Sequence, residues 1–310
     1  DIEKNKIKEL SKRARRNKVK CITRTAHHLL NTPDSNINED ESKWIKSIVS
    51  NYHPIGPFRD LPQRIYEKHS IATNWVGYSG EHSPSLLAAM NESGDTRPTP
   101  LSMRFTSDGV PLWENGDAPS TPLRMVNYWL KKLCSYCLHI DVIAWEQDIH
   151  WSQQFVKLSL SDDHFDNSGH KSLPDVGFGV SQLLPIITQA EYSKKSLISI
   201  QQPELHIHPR AQANLMDLFI ETQLRNGNSY LIETHSEHLI LRLLKRLRQS
   251  NNGEFEVDGK SLSPDDICIL YVQKGENGSE VRQLRVDHNG EFIDQWPNGF
   301  FEERLEELFD

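Results

Sequence analysis

The apolar positions of the chain fall into two textures. From residue 173 onward, short uninterrupted apolar runs alternate with stretches whose apolar residues recur at helical spacing. "SLISI" (196–200) and "SYLIET" (229–234) read as strands, and Pro209–Leu224 and Ser236–Arg248 as the helices that follow them. "DICILYVQK" (266–274) reads as a third strand of the same kind. Apolar strands separated by helices predict an α/β fold with a mostly parallel sheet flanked by helices, because crossover helices bury both sides of such strands. Upstream the texture changes. Residues 53–116 are rich in Gly and Pro and read as loops and short strands. Residues 121–138, "TPLRMVNYWLKKLCSYCL", start with Thr-Pro and continue at helical spacing. "DVIAWEQ" (141–147) and "QFVKLSLS" (154–161) predict antiparallel strands. Near the end, "SEVRQLRVDHNGEFID" (279–294) alternates with period two around Asn289-Gly290, the signal of a C-terminal hairpin, and 298–309 reads as an acidic amphipathic helix. The expected organisation is a basic helical arm (1–50), a lateral insertion of short strands with the helix 121–138 (51–172), and an α/β lobe (173–310).

Composition narrows the class. The 310 residues are 36% hydrophobic with a net charge of −8, which suits a globular protein and excludes a general polyanion binder. No run approaches the roughly 18 consecutive apolar residues of a membrane span. Four cysteines in so long a chain make no disulfide framework, so a reducing, cytoplasmic setting is expected. Cys134 and Cys137 have redox or half-zinc spacing, but no second pair answers them, and buried helix cysteines are the expectation. Charge is unevenly spread. Lys4, Lys6, Lys8, Lys12, Arg13, Arg15, Arg16, Lys18 and Lys20 crowd the first twenty residues, whereas "FEERLEELFD" (301–310) is acidic. The basic block is either a solvated arm or a nucleic-acid-contacting surface through residues 4–20. The chain begins at Asp1 rather than Met, and a piece of a longer chain is expected.

Candidate chemistry sits at the strand ends, where ligands of open α/β sheets collect. Gln201, Gln202 and Glu204 follow the first strand; Glu233, Thr234 and His235 close the second. Before them, "DVGFGVSQLLPII" (175–187) sets two glycines and a serine at a helix entry, where outward-turned amides and the helix dipole favour an anion. Simple packing explains such a loop equally well. His206 and His208 project alike, and with His235 and His238 they form a conceivable zinc set without recognised ligand spacing. A metal hydrolase built on these groups is one function class. His235 also reads as a cap for the helix starting near Ser236, and Glu233 as either structural or catalytic.

In this order the glycine loop, the strand ending "QQPELHIHP", the helix and the strand ending Thr-His resemble the signature loop, Walker B, D-loop and switch histidine of ABC-type ATPases. More narrowly, the chain resembles the branch related to SMC, Rad50 and overcoming-lysogenization-defect ATPases whose Walker B reads Glu-Gln-Pro-Glu-Leu-His-Leu-His-Pro. "YHPIGPFRDLPQRIY", "WVGYSGEHSPSLLAAM", "YLIETHSEHLILRL" and "WPNGFFEERLEEL" fit the same branch. It includes ATPases of anti-phage systems such as Septu, whose partner is an HNH-type nuclease. The resemblance implies ATP and Mg²⁺ as cofactors and a homodimer or higher oligomer. It implies that Gly177, Gly179, Ser181 and Gln182 reach the triphosphate of the opposite protomer. Gln201 stands at the Walker B carboxylate and metal position, with Gln202 and Glu204 beside it; His208 belongs to the D-loop region and His235 senses the terminal phosphate. Arg59 and Arg64 are expected at phosphate or at the dimer interface.

Two departures stand out. No Gly-x-x-x-x-Gly-Lys-Ser/Thr occurs, so the cradle for the β- and γ-phosphates is expected on an N-terminal Walker A lobe outside this chain. Gln201 replaces a carboxylate, and an uncharged amide neither holds Mg²⁺ well nor serves as a base. The expectation is a hydrolysis-deficient ATPase lobe, by engineered substitution or natural weakening. The alternative is a non-hydrolysing scaffold that recruits a nuclease or nucleic acid.

Overall fold

The computed structural model describes residues 51–69, 74–93, 97–98, 102–105, 111–114, 119–120, 122–148, 151–162, 169–275 and 278–295. The basic arm and the helix expected at 298–309 lie outside the described residues. Two compact units divide the chain, Asn51–Leu239 and one whose described part begins at Ile240.

In chain order, the first unit holds β1 (Tyr52–Ile55), β2 (Tyr66–Glu67), α1 (Ser83–Ser93), β3 (Arg97–Pro98), β4 (Ser102–Phe105), β5 (Pro111–Glu114) and β6 (Pro119–Ser120). It continues with α2 (Pro122–Cys134), β7 (Tyr136–Asp148), β8 (Trp151–Asp162), β9 (Lys171–Ser172), α3 (Phe178–Tyr192), β10 (Leu197–Gln201), α4 (Pro209–Asn226), β11 (Ser229–Glu233) and the start of α5 (Glu237–Asn251). The parallel sheet has the order β1-β10-β11. Its register sets Ile55 beside Ile200 and Gln201 beside Glu233. One face is apolar and covered: His53, Ile55, Ile198 and Ile200 are buried. On the other, Tyr52 is 40% and Leu231 43% exposed. The edge strand β1 thus comes from the segment expected to be an insertion.

α3 is buried at every position from Val180 to Glu191, which is why its sequence is apolar nearly all round. It packs against α1, α2 and α4. α4 starts on Pro209, whose missing N–H needs no partner there, and ends at Gly227 in the left-handed region (φ 72°). The helix expected over 121–138 stops at Cys134, because Ser135 turns left-handed (φ 62°) and Tyr136 opens β7. β7 and β8 pair antiparallel as expected and form a sheet in the order β2-β8-β7, with β9 on β8. Two short pairs, β3 with β6 and β4 with β5, complete the antiparallel part. Between α2, α3 and α4 lies a buried ionic cluster. Glu191 meets Arg225 at 2.6 Å and accepts from Trp129 Nε1 at 2.7 Å, while Lys132 reaches Glu221 at 3.3 Å and Asp217 at 3.6 Å. Burial pushes the Glu221 carboxyl up, with Lys132 pulling against it.

In the second unit the third strand expected from "DICILYVQK" is corrected. β12 (Ile269–Gly275) pairs antiparallel with β13 (Gly278–Leu284) in a separate two-stranded sheet. Its burial alternates residue by residue, the mark of a strand with one wet face rather than a central parallel strand. The two strands pair from Ile269 with Leu284 to Gly275 with Gly278. At Asn289-Gly290 the expected reversal is present as a short one: a bridge joins Val286 to Phe292, Asp287 N donates to Glu291 O at 2.9 Å and Ile293 N to Arg285 O at 2.9 Å. That turn lies against α5: a Cβ on Gly290 (φ 69°) would stand 2.2 Å from the Leu244 carbonyl oxygen, and Arg248 Nε donates to Asn289 O at 2.8 Å. No helix among the described residues is long and apolar enough to cross a membrane.

Candidate functional site

The ends of β10 and β11 carry most of the sequence candidates. After Gln201 the chain enters a tight turn in which two non-glycine residues, Gln202 (φ 44°) and His206 (φ 60°), take left-handed backbone conformations. Such positions are sparsely populated and persist only where the surroundings hold them. The surroundings do. Gln202 N donates to Glu233 O at 2.7 Å, extending the strand pairing by one step. Glu204 then reaches across to β11: its Oε2 accepts from Thr234 Oγ1 at 2.8 Å and its Oε1 from the His235 backbone N at 2.7 Å. Gln201, Gln202, Glu204 and His235 are therefore one stitched cluster, and the His235 side chain is exposed.

Gln201 itself is held from two sides. Its Oε1 accepts from Tyr78 OH at 2.9 Å, and its carbonyl accepts from Arg59 Nη2 at 3.0 Å. Tyr78 can lie there because residue 56 is glycine; a Cβ would sit 2.4 Å from its ring. Arg59 is 5% exposed, so it faces neither phosphate nor an interface, and that expectation is corrected. Burial lowers its pKa to about 10, partly offset by the Glu204 carboxylate. Arg64 is exposed and holds Asp175 in a bidentate pair at 2.7 and 2.9 Å.

The glycine loop meets the same cluster through its backbone. A Cβ on Gly179 would stand 2.8 Å from the His206 carbonyl oxygen, and the Phe178 ring sits edge-on to the His206 ring at 5.1 Å. Gly177 caps α3 without a side-chain hydrogen bond, and nothing lies within 4 Å of where its Cβ would be. The N-terminus of α3 thus presents open backbone. Ser181 and Gln182 turn inward: Ser181 Oγ donates to Phe178 O at 2.7 Å, and Gln182 is 1% exposed with its buried Nε2 finding no partner among the described residues. His208 is engaged as the cap of α4, its Nδ1 accepting from Arg210 N at 3.2 Å. Ser236 rather than His235 caps α5, accepting from Leu239 N at 3.3 Å. Sequence reasoning missed Tyr78, Gly56 and the clamp role of Thr234; the Gly-Tyr-Ser-Gly string at 77–80 was the one available signal.

Tested against the implied cofactors, the residues fit unequally. The amides of α3 suit the terminal phosphate of a nucleotide held elsewhere. Mg²⁺ does not fit: Gln201 is uncharged, Glu204 is committed to Thr234 and His235, and only Glu233 remains at the strand tips. Among the described residues no group of three or more His, Cys, Asp or Glu side chains converges as a metal site. A cleft of about 260 Å³ beside α3, lined by Asp60, Tyr66, Glu81, Ser181 and Leu184, is smaller than the ~300 Å³ at which ligand pockets begin.

Residues 134–240 match the family profile described as AAA ATPase domain, a segment holding the glycine loop, both strand tips and the start of α5. Residues 262–310 match a family described as protein of unknown function (DUF3696). No curated protein matches. Among solved structures, the chain is similar to one from work on ATP-driven dimerization and DNA-stimulated activation of SMC ATPases, at 10% identity and TM-score 0.37, over 61% of this chain and 91% of that one. It is similar to an SmcHead bound to the C-winged helix domain of ScpA, at 10% identity and TM-score 0.37, over 53% of this chain and 42% of that one. It is also similar to an Smc head domain with a coiled coil and joint from Pyrococcus yayanosii, at 10% identity and TM-score 0.36, over 53% of this chain and 26% of that one. The chain thus spans less than half the length of the last two. The segment similar to the ATPase-domain family, residues 134–240, contains the strand-tip cluster.

Proposed function

We propose that the chain is the C-terminal lobe of an ABC-type ATPase that associates around ATP and uses the closure to control a partner effector. In this reading the α3 entry, with open backbone at Gly177 and Gly179 behind it against His206, meets the triphosphate held by a second copy, and Gln201, Gln202 and His235 face the nucleotide bound to a Walker A lobe. The observation that carries it is the single rim formed by β10, β11 and α3: Gln201 level with Glu233, Glu204 fastening His235, and Gly179 against His206. Support also comes from the uncovered face of the parallel sheet, where Tyr52 and Leu231 stand exposed and a further lobe has room to pack. The effector, by the resemblance, is a nuclease of the HNH type in anti-phage defence, and the basic residues 4–20 contact nucleic acid. The test is mass in solution for this lobe joined to its Walker A lobe. ATP with Mg²⁺ doubles the mass if the reading holds, and an unchanged mass overturns it.

One observation favours the scaffold reading as a second. The Gln201 amide is occupied by Tyr78 and Glu204 by Thr234 and His235, so the carboxylate left beside Gln201 is Glu233, on the neighbouring strand rather than at the Walker B position. In the full-length protein, Gln201→Glu separates the two. A gain of ATP hydrolysis identifies a disabled ATPase; no gain identifies a scaffold.

A further inference from the structure

We infer that Tyr78 is a positioning residue for the side chain at 201: its phenol holds one polar atom of that side chain in place and leaves the other for a ligand. The contact is direct. Tyr78 OH donates to Gln201 Oε1 at 2.9 Å, and Gln201 Nε2 finds no partner among the described residues. Core packing does not account for the ring, which is 50% exposed, whereas an aromatic kept for its apolar surface is buried. The backbone at 201 is held by a different donor, Arg59 Nη2, at 3.0 Å from the carbonyl. Main chain and side chain of this one residue are therefore fixed separately.

The turn that carries Tyr78 is fastened on several sides. Gly77 (φ 91°) and Gly80 (φ 83°) take the chain through the left-handed region on either side of it. Gly56 N donates to Tyr78 O at 2.7 Å and Asp60 N to Ser79 O at 2.8 Å, which ties the turn to the loop after β1. Glu81 Oε2 accepts from both Ser79 N and Ser79 Oγ at 2.9 Å, and Val76 N donates to Gln189 Oε1 on α3 at 2.8 Å. Under the ring, a Cβ on Gly56 would stand 2.4 Å from Tyr78 Cε1. So much fastening delivers one half-exposed ring, whose hydroxyl meets the side chain that closes β10. A phenol donates to an amide oxygen or to a carboxylate oxygen, so the contact serves glutamine and glutamate alike, and with a carboxylate it is the stronger, charge-assisted kind. A side chain already held in one rotamer need not be ordered when its ligand arrives.

That the held side chain serves a nucleotide rests on the function proposed above, but the holding itself is measurable without nucleotide. The first experiment is ¹⁵N relaxation of the Gln201 side-chain amide in the nucleotide-free, full-length protein. Its order parameter should lie close to the ~0.85 of rigid backbone in the wild type and fall below about 0.6 in Tyr78→Phe. Phenylalanine keeps the ring over Gly56, so a ring that only packs would leave the amide as ordered as before, and that result overturns the inference. Gly56→Ala displaces the ring with its hydroxyl intact and should loosen the amide in the same way; should it fail to fold, Tyr78→Phe decides alone. The second experiment uses the full-length protein carrying Gln201→Glu. There Tyr78→Phe should lower kcat about ten-fold with KM unchanged, as expected for losing a hydrogen bond that orients a charged group without touching substrate. An unchanged kcat, or a rise in KM alone, overturns the positioning role. If Gln201→Glu gives no hydrolysis, the ATPase reading fails by itself, and the order of the Gln201 amide still decides whether Tyr78 holds position 201.

Discussion

Gly179→Ala reverses an ordinary rule, and the reversal is calculable. In a helix interior, Gly to Ala stabilises by about 1 kcal/mol, because alanine loses less backbone freedom on folding. Position 179 lies in the first turn of α3, where a Cβ would stand 2.8 Å from the His206 carbonyl oxygen. Ordinary contact begins at 3.4 Å, so the atoms must part by 3.4 − 2.8 = 0.6 Å. The obstacle is backbone in a turn already strained at His206 (φ 60°) and tied through Glu204 to β11, so it does not yield as a side chain would. Overpacking of this kind costs about 1–3 kcal/mol, which cancels or outweighs the helical gain of about 1 kcal/mol and leaves a net loss of roughly 0–2 kcal/mol. Gly177→Ala is the control: its Cβ meets nothing within 4 Å, and a change at this N-cap should stay below about 1 kcal/mol. Urea unfolding followed by tryptophan fluorescence, to which the fully buried Trp129 contributes, measures both. A Gly179→Ala protein more stable than wild type by the full helical gain of about 1 kcal/mol would refute the close approach of α3 to the 202–208 turn.

Arg225→Met should destabilise by roughly 3–5 kcal/mol, since it takes the guanidinium at 2.6 Å away from Glu191, a carboxylate only 1% exposed; a loss under 1 kcal/mol in the same urea assay counts against the pair. The Glu221 carboxyl is raised in the folded chain by burial. The native state therefore holds its proton at pH values where the unfolded chain has released it, and stability should fall as pH climbs from the unfolded value near 4.5 toward the folded one. Glu221→Gln should remove that slope, and unfolding midpoints from pH 4 to 8 that run parallel in the two proteins would contradict it. Burial pushes the Cys134 thiol up to about 12, so native protein at pH 8 should leave Cys134 unmodified by iodoacetamide while unfolded protein reacts, as read by peptide mass spectrometry.

What the sequence revealed of the fold follows from how each element is stabilised. α3, α4, β10 and β11 were legible because their burial is written as continuous apolar runs or as helical spacing. β1 was not: Tyr52-His-Pro-Ile55 contains no such run, and its place is fixed by pairing with Leu197–Ile200, far along the chain. β12 failed in the opposite way. "CILYV" looks like a central strand, yet its partner is the neighbouring β13 and one face stays wet. At the site, Gln201 and His235 were legible as residues just past apolar strands. Ser181 and Gln182 belong to a helix buried all round, so their polar groups turn inward whatever the loop before them does. Arg59 was illegible because a lone charge in a Gly-Pro loop reads as exposed.

Position 201 shows how little of the site's chemistry the fold depends on. Tyr78 donates to a side-chain oxygen there, and the amide of glutamine offers that oxygen as well as a carboxylate does. Arg59 bonds the backbone carbonyl, which no substitution at 201 removes. The two side chains are isosteric, so exchanging one for the other leaves Tyr78, Gly56 and the turn at 202–206 in place. Only the charge differs, and it differs beside a buried cation, Arg59, whose Nε and Nη1 find no partner among the described residues. A carboxylate at 201 is accordingly expected to leave the architecture intact while restoring the anionic donor that Mg²⁺ requires. A gain of hydrolysis in Gln201→Glu with no change in fold would therefore trace the loss of activity to one missing charge on a rim otherwise fully assembled.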